Sequence, residues 1–261
     1  MIFCSLYSGS SGNSIFVGNG NTNILVDAGM AGKHLDSAIK EINQNPEEVD
    51  AIFITHEHID HIKGAGVMSR KYDIPIYANE RTWIAMENKV GKIKDHNIKI
   101  INDKHITIKD MDIINYNIPH DAACPVGYTM ISGNKRASIA TDLGCFTSEV
   151  KENIKDSEVI LLESNHDTEM LKFGPYPYDL KKRILSNVGH LSNEACGNAL
   201  LEVLKNGCKK IVLGHLSETN NHPDLAYETV AGVLRENGVI LGKEVDLAMA
   251  HRGKPSNYIE F

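Results

Sequence analysis

The stretch THEHIDHIKG, residues 55–64, sets three histidines and an aspartate within six positions. His56, His58, Asp60 and His61 spell H-x-H-x-D-H directly after the apolar run VDAIFIT (49–55). Side chains two apart beyond a strand point the same way, so His56 and His58 aim at one place. Asp60 and His61 fall where the loop enters a helix and turn toward a second place nearby. A tetrahedral zinc-like ion takes imidazole nitrogen or carboxylate oxygen at about 2.0–2.2 Å, and one ion does not accept four such close neighbours. Two adjacent ions divide them naturally. The plainer account is a polar helix-entry loop with Asp60 as its cap, and the density of ligand types argues against it.

Two ions need further ligands, and later strands end in them. His120 follows NYNIP, Asp142 ends RASIATD, and His215 ends KIVLGH. One histidine after a strand is ordinary, but a repeated pattern of apolar strands ending in ligand-type side chains builds a site at one edge of a sandwich. SIFVG (14–18) and NILVDA (23–28) flank the turn NGNTN as a hairpin. Further strands are expected at IPIYA, HITIK, DIINYNIP, VGYTMIS, RASIATD, EVILLES, KIVLG, VDLAMA and SNYIEF. Helices are expected near 33–42, 64–72, 80–90, 148–154, 179–186, 193–206 and 224–237. This is an α/β chain with two mixed sheets packed face to face and helices outside. With no repeats or Pro/Gly-rich linkers, residues 1–261 read as a single domain.

The chain has 261 residues, 42% hydrophobic and 23% charged, enough to bury about 75% of its unfolded surface. No apolar run approaches the roughly 20 residues that span a bilayer, so no membrane role is expected. The opening MIFCSLYSGSSGNS lacks the basic-then-apolar layout of a secretory leader. Five scattered cysteines without C-x-x-C suggest reduced thiols and a cytoplasmic protein. The net charge of −7 argues against wrapping a long nucleic acid but leaves room for a small site whose positive charge comes from metal. Oligomeric state is not legible.

Taken together, Asp27 in LVDAG, the H-x-H-x-D-H and the separate His120, Asp142 and His215 resemble the metallo-β-lactamase-fold hydrolases across the whole chain. The resemblance implies an αββα sandwich with a dinuclear centre in the cleft. It implies His56, His58 and His120 as ligands of the first ion, Asp60, His61 and His215 as ligands of the second, and Asp142 as the carboxylate between them. Asp27 resembles the outer acid that fixes a ligand imidazole, although a polar strand end before Gly29 would serve as well. Two divalent ions are thus implied, and imidazole with carboxylate suits Zn²⁺, Mn²⁺ and Fe²⁺ alike. A hydroxide held between such ions is a strong nucleophile at neutral pH. A bridging aspartate at Asp142 points away from lactams. Cys145, three residues on, is read as a buried structural thiol before a soft ligand.

LLESNHD (161–167), NVGHLSNE (187–194) and LGHLSETNN (213–221) set Glu163, Asn165, His166, His190, Ser192, Ser217, Asn220 and Asn221 where polar groups can face the cleft. Their order resembles β-CASP nucleases, but only a short segment separates Glu163 from His190, so no β-CASP insertion is expected. SLYSGSSGNS, THEHIDHIKG, GPYPYDLKKRILSNVGHLSN and GHLSETNNHP look like the WalJ/YycJ group of bacterial metallohydrolases. That resemblance implies a metal-dependent phosphodiesterase, a 5′-to-3′ DNA exonuclease with a part in mismatch repair, its partner being the 5′ end of DNA. Asp60 and His190 are the expected catalytic residues. His190 would contact the scissile phosphate and protonate the leaving oxygen, or simply hold its loop beside a helix start. Ser10, Ser11 and Asn13 are expected to bind phosphate oxygens, with Asn165, His166 and Ser192 lining the same cleft. Tyr176 and Tyr178 would form a lid or stack a base, and Lys172, Lys181, Lys182, Arg183, Arg252 and Lys254 could follow a strand. The alternatives are a glyoxalase II-like thioesterase, another small phosphodiester hydrolase, and a metal-holding module without catalysis.

Overall fold

Apolar runs without alternation, such as VILLE and KKIVLG, belong to strands covered on both faces. The computed structural model describes residues 1–204 and 209–261. Strands β1 (Ile2–Tyr7), β2 (Ser14–Gly18), β3 (Asn23–Val26), β4 (Ala51–Phe53), β5 (Ile76–Ala78) and β6 (Ile98–Ile100) form one sheet. Strands β7 (His105–Ile108), β8 (Met111–Asn117), β9 (Val126–Ser132), β10 (Lys135–Ala140), β11 (Val159–Glu163), β12 (Lys209–Gly214) and β13 (Val245–Met249) form a second. The last strand, β14 (Ser256–Glu260), crosses back and pairs antiparallel with β1. Both sheets are mixed: β3 to β6 run parallel, as do β10 to β13, and the rest are antiparallel.

Period-two packing explains why these strands are apolar throughout. Ile24 and Val26 face the other sheet, while Leu25 between them packs on helices α1 (Gly32–Glu41), α3 (Ala65–Tyr72) and α4 (Glu80–Val90) through Leu35, Met68 and Trp83. In the second sheet Leu161 and Val212 face inward. Ile160, Leu162, Ile211 and Leu213 pack outward on helices α5 (Ser148–Ile154), α8 (Asn193–Val203) and α9 (Pro223–Glu236). Helix, sheet, sheet, helix is therefore the layer order, and each fully buried aliphatic contributes about 1.5–3 kcal/mol.

The expected hairpin forms, with Asn19 Oδ1 accepting from the backbone of Asn21 and Thr22 at 3.0 and 2.8 Å. Three elements escaped the sequence reading. β1 lay in the segment inspected only for a leader, and β6 is a three-residue edge strand. Helix α6 (Thr168–Phe173) is short and starts where the Asp167 side chain accepts from Met170 N at 2.7 Å. It is followed by α7 (Tyr178–Ile184). Helix α8 starts at Asn193 as expected and runs to Val203, whereas residues 205 and 206 of the expected helix, and Cys208, lie outside the described residues.

The parallel strands deliver the site. Asp27 follows β3, the histidine motif follows β4 and enters the short helix α2 (Ile59–Ile62), Asp142 follows β10, Glu163 ends β11, and His215 follows β12. Carboxyl ends of parallel strands are where open α/β sheets bind ligands. Asp27, Asp142 and His215 take φ of 61°, 60° and 55°, a left-handed turn that swings each side chain off its strand at a cost on the order of 1–3 kcal/mol. Backbone bonds stitch the loops together: Asn13 N donates to Asp60 O, Ala28 N to His61 O, and Gly29 N to Asn13 O, each at 2.8 Å. Gly29 has no room for a side chain, since a Cβ there would meet Asp60 O at 1.6 Å. Gly29→Ala should therefore push the Asp60 loop outward, lowering stability by about 1–3 kcal/mol and weakening metal uptake more than stability. Thermal melts with and without metal check this; a normal melt and normal metal uptake would refute it.

Candidate metal centre

His56 Nε2 lies 3.1 Å from His58 Nδ1, which lies 3.4 Å from His120 Nε2. Nitrogens arranged tetrahedrally on one ion at about 2.0–2.1 Å would stand about 3.3 Å apart. The second cluster joins Asp60, His61 and His215, with Asp60 Oδ2 3.5 Å from His61 Nε2 and 3.7 Å from His215 Nε2. Asp142 lies between the two, its Oδ1 3.6 Å from His120 Nε2 and its Oδ2 3.3 Å from His61 Nε2. All seven residues singled out in the sequence meet here. Asp142 Oδ2 and His215 Nε2 are buried and find no hydrogen-bond partner among the described residues, an arrangement that costs free energy unless a cation completes it. The donor set, its spacing and these two orphaned atoms fit a dinuclear metal site.

For four of these five histidines the opposite ring nitrogen has a partner. Asp27 accepts from Thr55 N and Thr55 Oγ1 at 2.8 Å and from His61 Nδ1 at 2.7 Å. Thr55 Oγ1, its proton given to Asp27, faces His56 Nδ1 at 3.0 Å. Gly189 O faces His120 Nδ1 at 3.2 Å, and Glu163 Oε1 faces His215 Nδ1 at 2.7 Å. With Nδ1 engaged as donor, His56, His61, His120 and His215 each turn a free Nε2 inward, which is the tautomer a metal requires. His58 is the reverse, presenting Nδ1. Glu57, inside the motif, faces away and accepts from Ala123 N at 2.9 Å, which fixes the loop after His120.

Glu163 is the residue whose position the sequence reading misjudged. It was expected to face the cleft. It is instead fully buried beneath the site, where Oε1 holds both His215 Nδ1 and His190 Nδ1 (2.8 Å). Its Oε2 accepts from Leu143 N and Leu191 N at 2.7 and 3.1 Å. Burial works to raise its pKa, but His190 and His215 outweigh that and hold it at about 2, so it stays a carboxylate. With its oxygens spent, it is an orienting group and not a third-site ligand, although it lies close to Asp142, His190 and His215. The signal was present: an acid ends an otherwise apolar strand, as at Asp27 and near Asp142.

His190 sits at the edge of the cluster, its ring centroid 5.1 Å from that of His120 and 5.4 Å from that of His215. It borders a cavity of about 170 Å³ together with Ser10, Asn165, Tyr176 and Ser217. The other expected cleft residues divide differently. Asn13 is buried, with Oδ1 accepting from Gly9 N at 2.9 Å and Nδ2 lying 3.1 Å from His61 Nε2, so it braces the ligand loop and has no face for phosphate. Ser192 caps α8, its Oγ accepting from Ala195 N at 3.2 Å. His166 is buried and does not line that cavity. Ser11 is exposed outside it, and Asn165 both lines it and donates to His215 O at 2.8 Å. Tyr178 stands exposed, and Cys145 is half-buried outside the ligand clusters, not buried as expected.

Fold and site together define a metallohydrolase of the αββα kind: the chain belongs to the metallo-beta-lactamase superfamily, which it matches over residues 7–215. It is 42% identical to exodeoxyribonuclease YycJ of Bacillus anthracis, over 94% of this chain and 93% of that one. It is 43% identical to exodeoxyribonuclease WalJ of Streptococcus pneumoniae serotype 2, over 91% of this chain and 89% of that one. The metallo-beta-lactamase fold protein YhfI from Bacillus subtilis superposes with a TM-score of 0.71 at 15% identity, covering 98% of this chain and all of its own.

Replacing Glu163 by Gln should cost about 10–100-fold in metal affinity, the usual effect of losing a carboxylate that orients a ligand histidine. The fold should survive, because the amide oxygen can still accept one backbone bond. Calorimetric titration of stripped protein checks this, and wild-type affinity in Glu163→Gln would show that His215 needs no such support.

Proposed function

We infer that this chain is a divalent-metal-dependent exodeoxyribonuclease working on DNA from the 5′ end. The observation that carries the reading is the convergence of three side-chain groups beside His190, which itself borders a cavity: His56, His58 and His120; Asp60, His61 and His215; and Asp142 between them. Near-full-length identity to exodeoxyribonucleases supports DNA as the substrate. The thioesterase and the non-catalytic module are correspondingly disfavoured. We read the chain as one domain, with only α6 and α7 between Glu163 and His190 where β-CASP nucleases carry an insertion. We take the ions as Zn²⁺ or Mn²⁺, with Fe²⁺ admissible to the same donors. Among the described residues no helix is long and apolar enough to cross a membrane. We take the cytoplasm as its compartment, consistent with free thiols at Cys4, Cys124, Cys145 and Cys196.

In this mechanism the two histidine clusters and Asp142 would hold the metals, which would supply an activated water and positive charge for the attacked phosphate. His190 does the proton work. Burial lowers its pKa, but Glu163 and Asp142 overcome this and raise it above the ordinary imidazole value, which favours the protonated ring. Its Nδ1 proton is held by Glu163, which leaves Nε2–H to contact the scissile phosphate and protonate the leaving oxygen. Ser10, Asn165 and Tyr176 line the same cavity and contact the phosphate or the end nucleotide there.

Metal-loaded protein incubated with DNA labelled at one end should release mononucleotides progressively from the 5′ end. Asp142→Ala should abolish release. His190→Ala should retain its metals and lose about 10²–10⁴-fold in kcat. Release from the 3′ end alone would overturn the polarity. No release with Zn²⁺, Mn²⁺ or Fe²⁺ would overturn the DNA reading while leaving the fold and metal centre intact.

A further inference from the structure

A second cavity, of about 470 Å³, opens beside the catalytic one and shares Ser217 with it. Its lining comes from the residues after the metal-centre histidine His215 and from 249–254, where the chain leaves β13 to cross to β14. Leu216, Met249 and the exposed Pro223 give it an apolar floor on one side, and His251, Arg252 and Lys254 also line it. Arg252 ties the two segments together: Nη2 donates to Leu216 O at 3.0 Å, and Nη1 pairs with Glu218 Oε2 at 2.9 Å. His251 and Lys254 are exposed.

We propose that this cavity is the subsite for a nucleotide flanking the scissile phosphate, its base on the apolar floor and its backbone phosphate on Lys254 and His251. The proposal rests on the exodeoxyribonuclease reading above and deepens it. The volume suits one nucleotide, since small-molecule sites run from about 300 to 1,000 Å³ with apolar walls and few polar groups. Charge argues the same way. A chain of net charge −7 repels a polyanion except where cations stand free, and here Lys254 is exposed beside Arg252, whose own charge is met by Glu218. Ser217 lines both cavities, so Lys254 stands on the cavity that neighbours His190. The sequence pointed to Arg252 and Lys254 only as scattered basic residues; the crossover between the sheets is what brings them to the cleft.

Two variants probe the cavity by different means. Lys254→Glu reverses a rim charge. Gly253→Trp fills the opening; a Cβ at Gly253 meets nothing within 4 Å, so the backbone tolerates the change. Lys104→Glu, exposed and outside both cavities, controls for net charge. Each protein is assayed on a 5′-phosphorylated single-stranded oligonucleotide and on bis(p-nitrophenyl) phosphate, a diester too small to reach the second cavity. The ratio of the two kcat/KM values should fall at least tenfold in Lys254→Glu and Gly253→Trp and stay within twofold in the control. Anisotropy binding of the labelled oligonucleotide should weaken in Lys254→Glu, with the salt slope shallower by about 1. Unchanged ratios and an unchanged slope, with wild-type protein degrading DNA, would overturn the subsite alone. Wild-type protein that hydrolyses the small diester but not DNA would overturn the nuclease reading and the subsite with it.

Discussion

Asp142 is the carboxylate on which both halves of the centre converge, and its environment makes sense only with cations beside it. Its Oδ1 faces His120 and His215 at 3.6 and 3.5 Å, and its Oδ2 faces His61 at 3.3 Å. Buried charge is costly unless it is paired and hydrogen-bonded. Asp60 adds a second carboxylate and Glu163 a third, with five imidazoles among them. Burial opposes any charge on His215, yet Asp142, Asp60 and Glu163 together lift its pKa to about 10. The negative charge that holds a proton on His215 also attracts divalent ions, which would displace that proton on binding.

The rest of the fold is arranged to hold that carboxylate and its neighbours still. Parallel strands in both sheets end at the same cleft, and left-handed turns at Asp27, Asp142 and His215 redirect the side chains into it. Beneath the ligands lie two buried acids. Asp27 orients His61 directly and His56 through Thr55; Glu163 orients His215 and His190. Each sheet thus supplies one buried acid that orients histidines of the cluster, Asp27 those after β4 and Glu163 the one after β12. Glu163 further couples the metal centre to the proposed proton donor, because one oxygen holds a ligand and His190 at once.

Much of this was legible in the chain. Density of ligand types in THEHIDHIKG, and the recurrence of His or Asp after apolar strands, named every member of the two clusters. Strand-rich halves, each with its own helices, announced two sheets packed face to face with helices outside. What stayed hidden was direction. Glu163, Asn13 and Ser192 were all visible as polar groups near the cleft, but a sequence does not reveal whether a side chain faces solvent, a neighbouring loop or a helix end. Asn13 turned inward because Gly9 N and the ligand loop use its amide, and Ser192 because α8 needed a cap. Short elements were missed for a related reason: β6 and α6 are too brief to show a period. The cavity at Lys254 depends on the chain crossing from β13 to β14, a long-range pairing that no local pattern encodes.

The central claim is that one carboxylate joins two metal sites. Metal content per chain, measured by mass spectrometry after reconstitution and dialysis, tests it directly when wild-type protein is compared with Asp142→Asn. Two ions are expected in the wild type and no more than one in the variant, because the second cluster loses its shared charge. A single ion in the wild type, or two held undiminished by Asp142→Asn, would contradict it.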